Sequence, residues 1–434
     1  MAAIATSVLD VRASSDAREM VTADRAKELL SGAFDDESSH SYSCVSLCGK
    51  SYSREASVVV AEALKSASVS PSATDFDFAD IIAGRPEDEA LEVLTTIIGA
   101  LDAEKVIRLD LSDNALGEKG VRALMDMIGA MVNLKSLKFH NNGLSELSVS
   151  LIADCLKKPC SIEQLEFDNN MSGSGGAVAV AGLLPSCPNL TVFRMSSSRV
   201  RPDGGEALCK GLASMQPGSL RTLDLSDSMF GGETGVALAD ALRNHNQLAH
   251  VSLSDSGIEE DGLEAVLEAL SEESTAPEMA SLNLSCLELG VDHCDALVSI
   301  VRSKKTSLVD LTLDDNEFDS EGACALAAAL TESGCAVKGT LRIRSNMMGS
   351  SGALALARIA PCGSTLDVDG NQISEKGVER LRAILASRGA TLGPLDENEP
   401  DMDEDEDEEG DDAAPAPDDD GEVDALTAAL QKTL

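Results

Sequence analysis

The stretch Leu109-Asp110-Leu111-Ser112-Asp113-Asn114-Ala115-Leu116-Gly117-Glu118-Lys119-Gly120-Val121 decides the fold. Leu109 and Leu111 alternate with polar residues, as a short strand with one buried face requires, and Leu116 turns the chain inward. Past Gly117 and Gly120, the residues Val121, Leu124 and Ile128 recur at spacings of three and four, which is one face of a helix. The phrase then repeats. Its sixth position falls at Asn114, Asn142, Asn170, Ser198, Ser228, Ser256, Leu287, Asn316, Asn346 and Asn371, at spacings of 28 to 31 residues except the last, which is 25. Two weaker copies, around Val45/Leu47 and Phe76/Phe78, bring the count to about twelve.

No single strand-helix unit of this size buries both of its apolar faces, so neighbouring units must supply the missing partners. Residues 41–395 are therefore expected to form one solenoid domain. The asparagine at the sixth position is expected to point inward and pair backbone groups of adjacent turns. The residue before it is different: Asp113, Asn141, Asn169, Ser197, Asp227, Asp255 and Asp315 are expected to project from the strand ends into solvent along one rim, where packing makes no demand on them. That row is the place to look for a partner. The period and consensus resemble the long leucine-rich repeat of the ribonuclease inhibitor family. The resemblance implies an α/β horseshoe solenoid with a parallel concave sheet and convex helices.

Composition narrows the partner. The 434 residues hold 75 Asp and Glu against 34 Lys and Arg, a net charge of −41. Such a chain repels phosphates, which argues against nucleic acid or an anionic membrane surface and for a basic protein partner. Hydrophobic residues make up 43% but aromatic ones only 2%, with no Trp, so Leu, Ala and Val must build the core. Residues 1–40 are polar with one helical stretch, about Asp16–Leu30. Residues 396–424 hold 18 acidic residues and no Lys or Arg, a composition that stays disordered, and 425–434 have the spacing of a short helical peptide. From 396 onward the charge is −17, leaving −24 on residues 1–395.

Catalytic signatures fail on inspection. Gly49-Lys50-Ser51 looks like the end of a phosphate-binding loop, but Cys44 stands where its first glycine belongs. Gly173-Ser174-Gly175-Gly176 sits at a strand-to-helix turn and has Val178 where a dinucleotide fingerprint needs its third glycine. Five His and 11 Cys show no metal-ligand spacing, so no metal site is expected. No apolar run approaches the roughly 18 residues of a spanning helix. In Gly84-Arg85-Pro86-Glu87-Asp88-Glu89, glycine and proline make a loop in which Arg85 stands among acids. Its plain reading is an ion pair with Asp80, Glu87 or Asp88.

Three phrases then carry a resemblance: Asp80-Ile-Ile-Ala-Gly-Arg-Pro-Glu-Asp-Glu-Ala-Leu-Glu-Val-Leu94, the stretch Leu109 to Arg122, and Phe139-His-Asn-Asn-Gly143. A long-repeat horseshoe with these phrases in this order and an acidic tail resembles RanGAP, the family of GTPase-activating proteins for Ran, especially its plant and algal forms. The similarity covers about residues 12–424. It implies an activator and not an enzyme with its own substrate pocket: Ran carries the GTP, the Mg²⁺ and the glutamine that orients the attacking water, and no cofactor belongs to the activator. By the resemblance, Asn141 holds that glutamine without an arginine finger, while Arg85, Asp113, Asn169, Asp227 and Asp255 dock the partner, alone or together with a Ran-binding protein.

Plant forms carry a Trp-Pro-Pro anchoring domain, which a chain without Trp cannot contain, and only ten residues follow the acidic run. The expectation is a monomeric, cytoplasmic protein serving nucleocytoplasmic transport, with the nuclear envelope as a peripheral second location. The competing expectation is a stoichiometric acidic repeat protein that binds or inhibits without activating; an enzyme with its own active site has no motif to support it.

Overall fold

The computed structural model describes residues 6–14, 18–34, 41–66, 68–156 and 160–399. The chain falls into two compact units, Met1–Phe230 and Gly231–Leu434.

In the first unit the strands Thr6–Asp10, Ser41–Ser46, Asp75–Asp77, Arg108–Asp110, Ser136–Lys138, Gln164–Glu166, Val192–Arg194 and Thr222–Asp224 pair in chain order, all parallel. The register stacks equivalent residues, so Phe76, Leu109, Leu137, Leu165, Phe193 and Leu223 form one buried column. Two residues on, Phe78, Leu111, Phe139, Phe167, Met195 and Leu225 form a second column with no exposed surface. The Phe139 and Phe167 rings stack at 6.0 Å. Five of the eight phenylalanines thus stand in the two columns, where they and the leucines fill the space between sheet and helices. The helix Gly117–Gly129 buries Val121, Leu124 and Ile128, as its spacing predicts.

The asparagine ladder is formed as expected. Asn114 Nδ2 donates to the carbonyls of Phe78 (2.8 Å) and Leu111 (3.0 Å), while its Oδ1 accepts from the Ile81 amide (2.9 Å). Asn142 and Asn170 repeat the pattern one and two turns on, and Ser198 donates to the Phe167 carbonyl at 3.0 Å. Turn carbonyls and amides that no strand partner reaches are paired in this way.

The sheet starts earlier than the repeat phrase suggests. Thr6–Asp10 lies in the segment set apart as polar, yet it pairs with Ser41–Ser46. The expected helix over about 16–30 is confined to Ala23–Leu29, because Glu19–Val21 pairs as a strand with Lys50–Tyr52 and Thr22 caps the helix by accepting from the Arg25 amide. Val21, Ala26 and Leu30 are buried, so the core begins there.

In the second unit the strands His250–Ser252, Ser281–Asn283, Asp310–Thr312, Thr340–Arg342, Thr365–Asp367 and Thr391–Leu392 again pair in parallel, alternating with helices such as Asp319–Ser333 and Glu375–Arg388. Asn316, Asn346 and Asn371 form its ladder. Asn398 adds a last rung, its Oδ1 accepting from Ile373 (3.1 Å) and its Nδ2 donating back (2.8 Å). The first residues of the expected acidic tail therefore pack on the final repeat. The rest of that tail, and the terminal peptide 425–434, lie outside the described residues.

Candidate functional site

The rim row is real, and its backbone explains part of its composition. Asp80, Asp113, Asn141, Asn169, Ser197 and Asp227 in the first unit, and Asp255 and Asp315 in the second, all have φ between 48° and 60°. Each turns the chain from strand to ladder in the left-handed region, which Asn and Asp tolerate best among residues with a Cβ. Packing is expected to make no demand on this row, but the backbone does: the turn itself selects short polar side chains, whether or not a partner binds. Successive repeats hold the row together, the amides of Asp80, Asp113, Asn141 and Asn169 each donating to a carbonyl of the next turn at 2.9–3.0 Å.

What distinguishes Asn141 is its side chain. It is exposed while Asn142 beside it is fully buried in the ladder. Its Nδ2 donates to Asp113 Oδ1 at 2.8 Å, and its Oδ1 accepts from Asn169 Nδ2 at 3.2 Å. Asp113, Asn141 and Asn169 are thus brought together. Asp227 is exposed further along the same unit, and Asp255 is exposed in the second unit.

Arg85 is placed differently from an exposed docking group. Gly84 takes φ 76°, and the guanidinium turns inward, its Nε donating to Ser51 Oγ (3.0 Å), Nη2 to the Ser51 carbonyl (2.7 Å) and Nη1 to Glu89 Oε1 (3.4 Å). Only 11% of the side chain is exposed, and its acid is Glu89, one helical turn on, instead of Asp80, Glu87 or Asp88. Asp80 is taken by Arg18, whose Nε and Nη2 both donate to its Oδ2 at 2.8 and 2.5 Å. Arg18, with 62% of its side chain exposed, is the accessible guanidinium at that end of the row. No spacing could have found it, because its position depends on the pairing of Glu19–Val21 with Lys50–Tyr52.

Beside the row, on the open face of the sheet, lies a charge network that the sequence reading missed. The register sets Lys138 beside Glu166, Glu166 beside Arg194 and Arg194 beside Asp224, a column of alternating sign. His140 Nε2 meets Glu166 Oε2 at 2.5 Å and Asp168 Oδ2 at 3.5 Å. Burial works to raise the Glu166 carboxyl, but hydrogen bonds from His140 and Gln164 and the charge of Lys138 bring it down to about 2. The Glu166 hydrogen bond raises His140. The ligand atoms of His140, Glu166 and Asp168 lie within 4.8 Å of one another, so the fold assembles a metal-competent trio that spacing does not reveal. Lys138 and Arg194, each 3.9 Å from Glu166, already supply positive charge there. Aligning the repeats at their own period would have exposed the column.

Strand, asparagine ladder and helix, repeated at this period, define a leucine-rich repeat protein; the Leucine Rich repeat family model matches residues 104–125 and 186–209. Among curated relatives, RAN GTPase-activating protein 2 of Arabidopsis thaliana is 34% identical over 391 residues, covering 89% of this chain and 70% of that protein. RAN GTPase-activating protein 1 of the same plant is 37% identical over 124 residues, 29% of this chain and 22% of its own length. Ran GTPase-activating protein 1 of Saccharomyces cerevisiae is 26% identical over 291 residues, 63% of this chain and 71% of that protein. The chain belongs to the Ran GTPase-activating protein family, with plant relatives. No helix among the described residues is long and apolar enough to cross a membrane.

Proposed function

We propose that this chain accelerates GTP hydrolysis on the small GTPase Ran and thereby serves nucleocytoplasmic transport. Family membership across most of the chain carries the reading, and the exposed, anchored amide of Asn141 gives it a mechanism. Ran supplies GTP, Mg²⁺ and the glutamine that orients water; the activator supplies no cofactor and no pocket of its own. Asn141 spends one Nδ2–H on Asp113. Its second N–H remains to hold the glutamine carboxamide in the pose that presents water to the γ-phosphate.

Asp227 in the first unit and Asp255 in the second would each meet basic groups of Ran. Arg85 contributes by fixing its loop against Ser51, because its guanidinium is committed inward. No arginine finger enters this mechanism. The chain acts as a cytoplasmic monomer, on Ran-GTP alone or with a Ran-binding protein, with the nuclear envelope as a peripheral second location.

The test is multiple-turnover hydrolysis of Ran-bound GTP with substoichiometric protein. Wild type turns over many Ran molecules; Asn141→Ala loses most of the rate. Arg18→Ala and Arg85→Ala each lose less than the roughly 1,000-fold that a finger supplies. Tight binding with no change in hydrolysis would overturn the proposal in favour of a stoichiometric acidic repeat binder.

A further inference from the structure

Asn141 is the middle member of a hydrogen-bonded relay. Asn169 donates to Asn141 and Asn141 donates to Asp113, across three successive repeats, each residue in the same left-handed conformation and each exposed. Chemistry fixes the direction of this relay. A carboxylate only accepts, so the side of Asn141 that faces Asp113 must be its NH2 group. Its oxygen then faces Asn169, which has to present its own NH2. An isolated surface amide turns about its last side-chain torsion between two broad, roughly equivalent orientations. Here the two neighbours select one.

We propose that Asp113 and Asn169 are positioning residues that set the orientation of the Asn141 amide, and so decide which of its atoms meets the partner's glutamine. The inference rests on the reading that Asn141 acts on that glutamine. It assigns the two neighbours a role distinct from docking. A docking residue contributes to encounter and affinity and acts on KM; a residue that pre-orients the acting amide contributes where the transition state is formed and acts on kcat. Along the first unit's row the arrangement is particular to this place, because only here is an asparagine flanked by a carboxylate on one side and an amide on the other: Asp80, before Asp113, is held by Arg18, and Ser197 follows Asn169.

The deciding variant is the exchange D113N/N169D. It preserves composition, net charge, left-handed compatibility and the number of hydrogen bonds, but reverses the relay. Asp at 169 accepts from the Asn141 NH2, Asn at 113 donates to its oxygen, and the amide turns by about 180°. The expected result in the Ran assay is a kcat lowered at least ~10-fold with KM within about twofold of wild type and an unchanged thermal midpoint. D113A lowers kcat as well, and D113N, which still offers an oxygen to Asn141, recovers part of that loss. Should the exchange not fold, N169D alone decides, because it puts acceptors on both sides of Asn141 and must lower kcat.

A folded exchange variant with wild-type kcat overturns the proposal, as does one that raises KM and leaves kcat alone. Wild-type protein without any activation sinks the functional reading itself. The relay is then judged by NMR: one ordered side-chain amide pair for Asn141 in wild type, averaged in D113A, supports it, and an averaged pair in wild type overturns it.

Discussion

Asn141 and Asn142 are adjacent in sequence and should fail in opposite ways. Asn142 has no exposed surface. Its Nδ2 donates to the carbonyls of Leu111 (3.0 Å) and His140 (3.1 Å), but each of these has a second donor, Asn114 Nδ2 at 3.0 Å and the Asp113 amide at 2.9 Å. Truncation therefore orphans donors and not acceptors. Its Oδ1 accepts from the amides of Asn114 (3.1 Å) and Leu116 (3.4 Å), and Asn142→Ala leaves both buried without that acceptor. At about 1–3 kcal/mol for each unsatisfied group, with the longer contact at the weak end, the loss is about 2–4 kcal/mol. Asn141→Gly removes two exposed side-chain hydrogen bonds, at 2.8 and 3.2 Å, whose groups water can satisfy, and relieves a φ of 49°, so its stability stays within about 1 kcal/mol of wild type. Urea unfolding followed by far-ultraviolet circular dichroism reads both as midpoint shifts, and Ran-stimulated hydrolysis per folded molecule is measured in parallel. Asn142→Ala should lower the midpoint and retain activity, while Asn141→Gly should do the reverse. A neutral midpoint for Asn142→Ala would refute the ladder accounting, and an active Asn141→Gly would refute the site.

Three further outcomes follow from the same contacts. Glu166 is held at about 2 against an ordinary 4.5, so its contribution, of order 3 kcal/mol, is complete above 4.5 and disappears as pH falls through about 2. His140 is raised, so its share is complete below its ordinary 6.5 and is lost as pH rises through its folded value. Stability measured against pH should plateau between these limits, and Glu166→Gln should flatten both slopes. Arg85→Lys should behave like Arg85→Ala, each costing about 1–3 kcal/mol in thermal unfolding, because an ammonium cannot reproduce the planar fork on Ser51 and Glu89; full stability of the lysine variant would show that the fork is dispensable. Raising salt from low to physiological strength should increase KM for Ran-GTP more than it changes kcat, since exposed acids steer encounter over about one Debye length, ~8–10 Å; a salt-independent KM would exclude electrostatic docking.

The repeat and its ladder were legible in the sequence because both are local and periodic. Leu109, Leu111 and Asn114 recur at nearly constant spacing, and a parallel stack with that spacing has only one register that keeps every leucine inside. Asn141 was legible for the same reason: once Asn142 occupies the ladder, its neighbour must face out. The aliphatic core was legible too, since two apolar columns built largely of leucine need few aromatics. Less visible was the beginning of the sheet at Thr6, which has no repeat phrase to announce it.

Contacts between repeats were decided only by the tertiary structure. Whether Arg85 faced a partner or Ser51 depended on a left-handed Gly84 and on a strand 34 residues earlier in the chain. Arg18 reached Asp80 across 62 residues, and His140, Glu166 and Asp168 met because their strands happened to be neighbours in register. The sequence determined a periodic scaffold and the asparagine that projects from it. The fold decided which side chains meet across the repeats, because a hydrogen bond depends on distances and directions between residues about thirty positions apart, which periodicity brings near but does not orient.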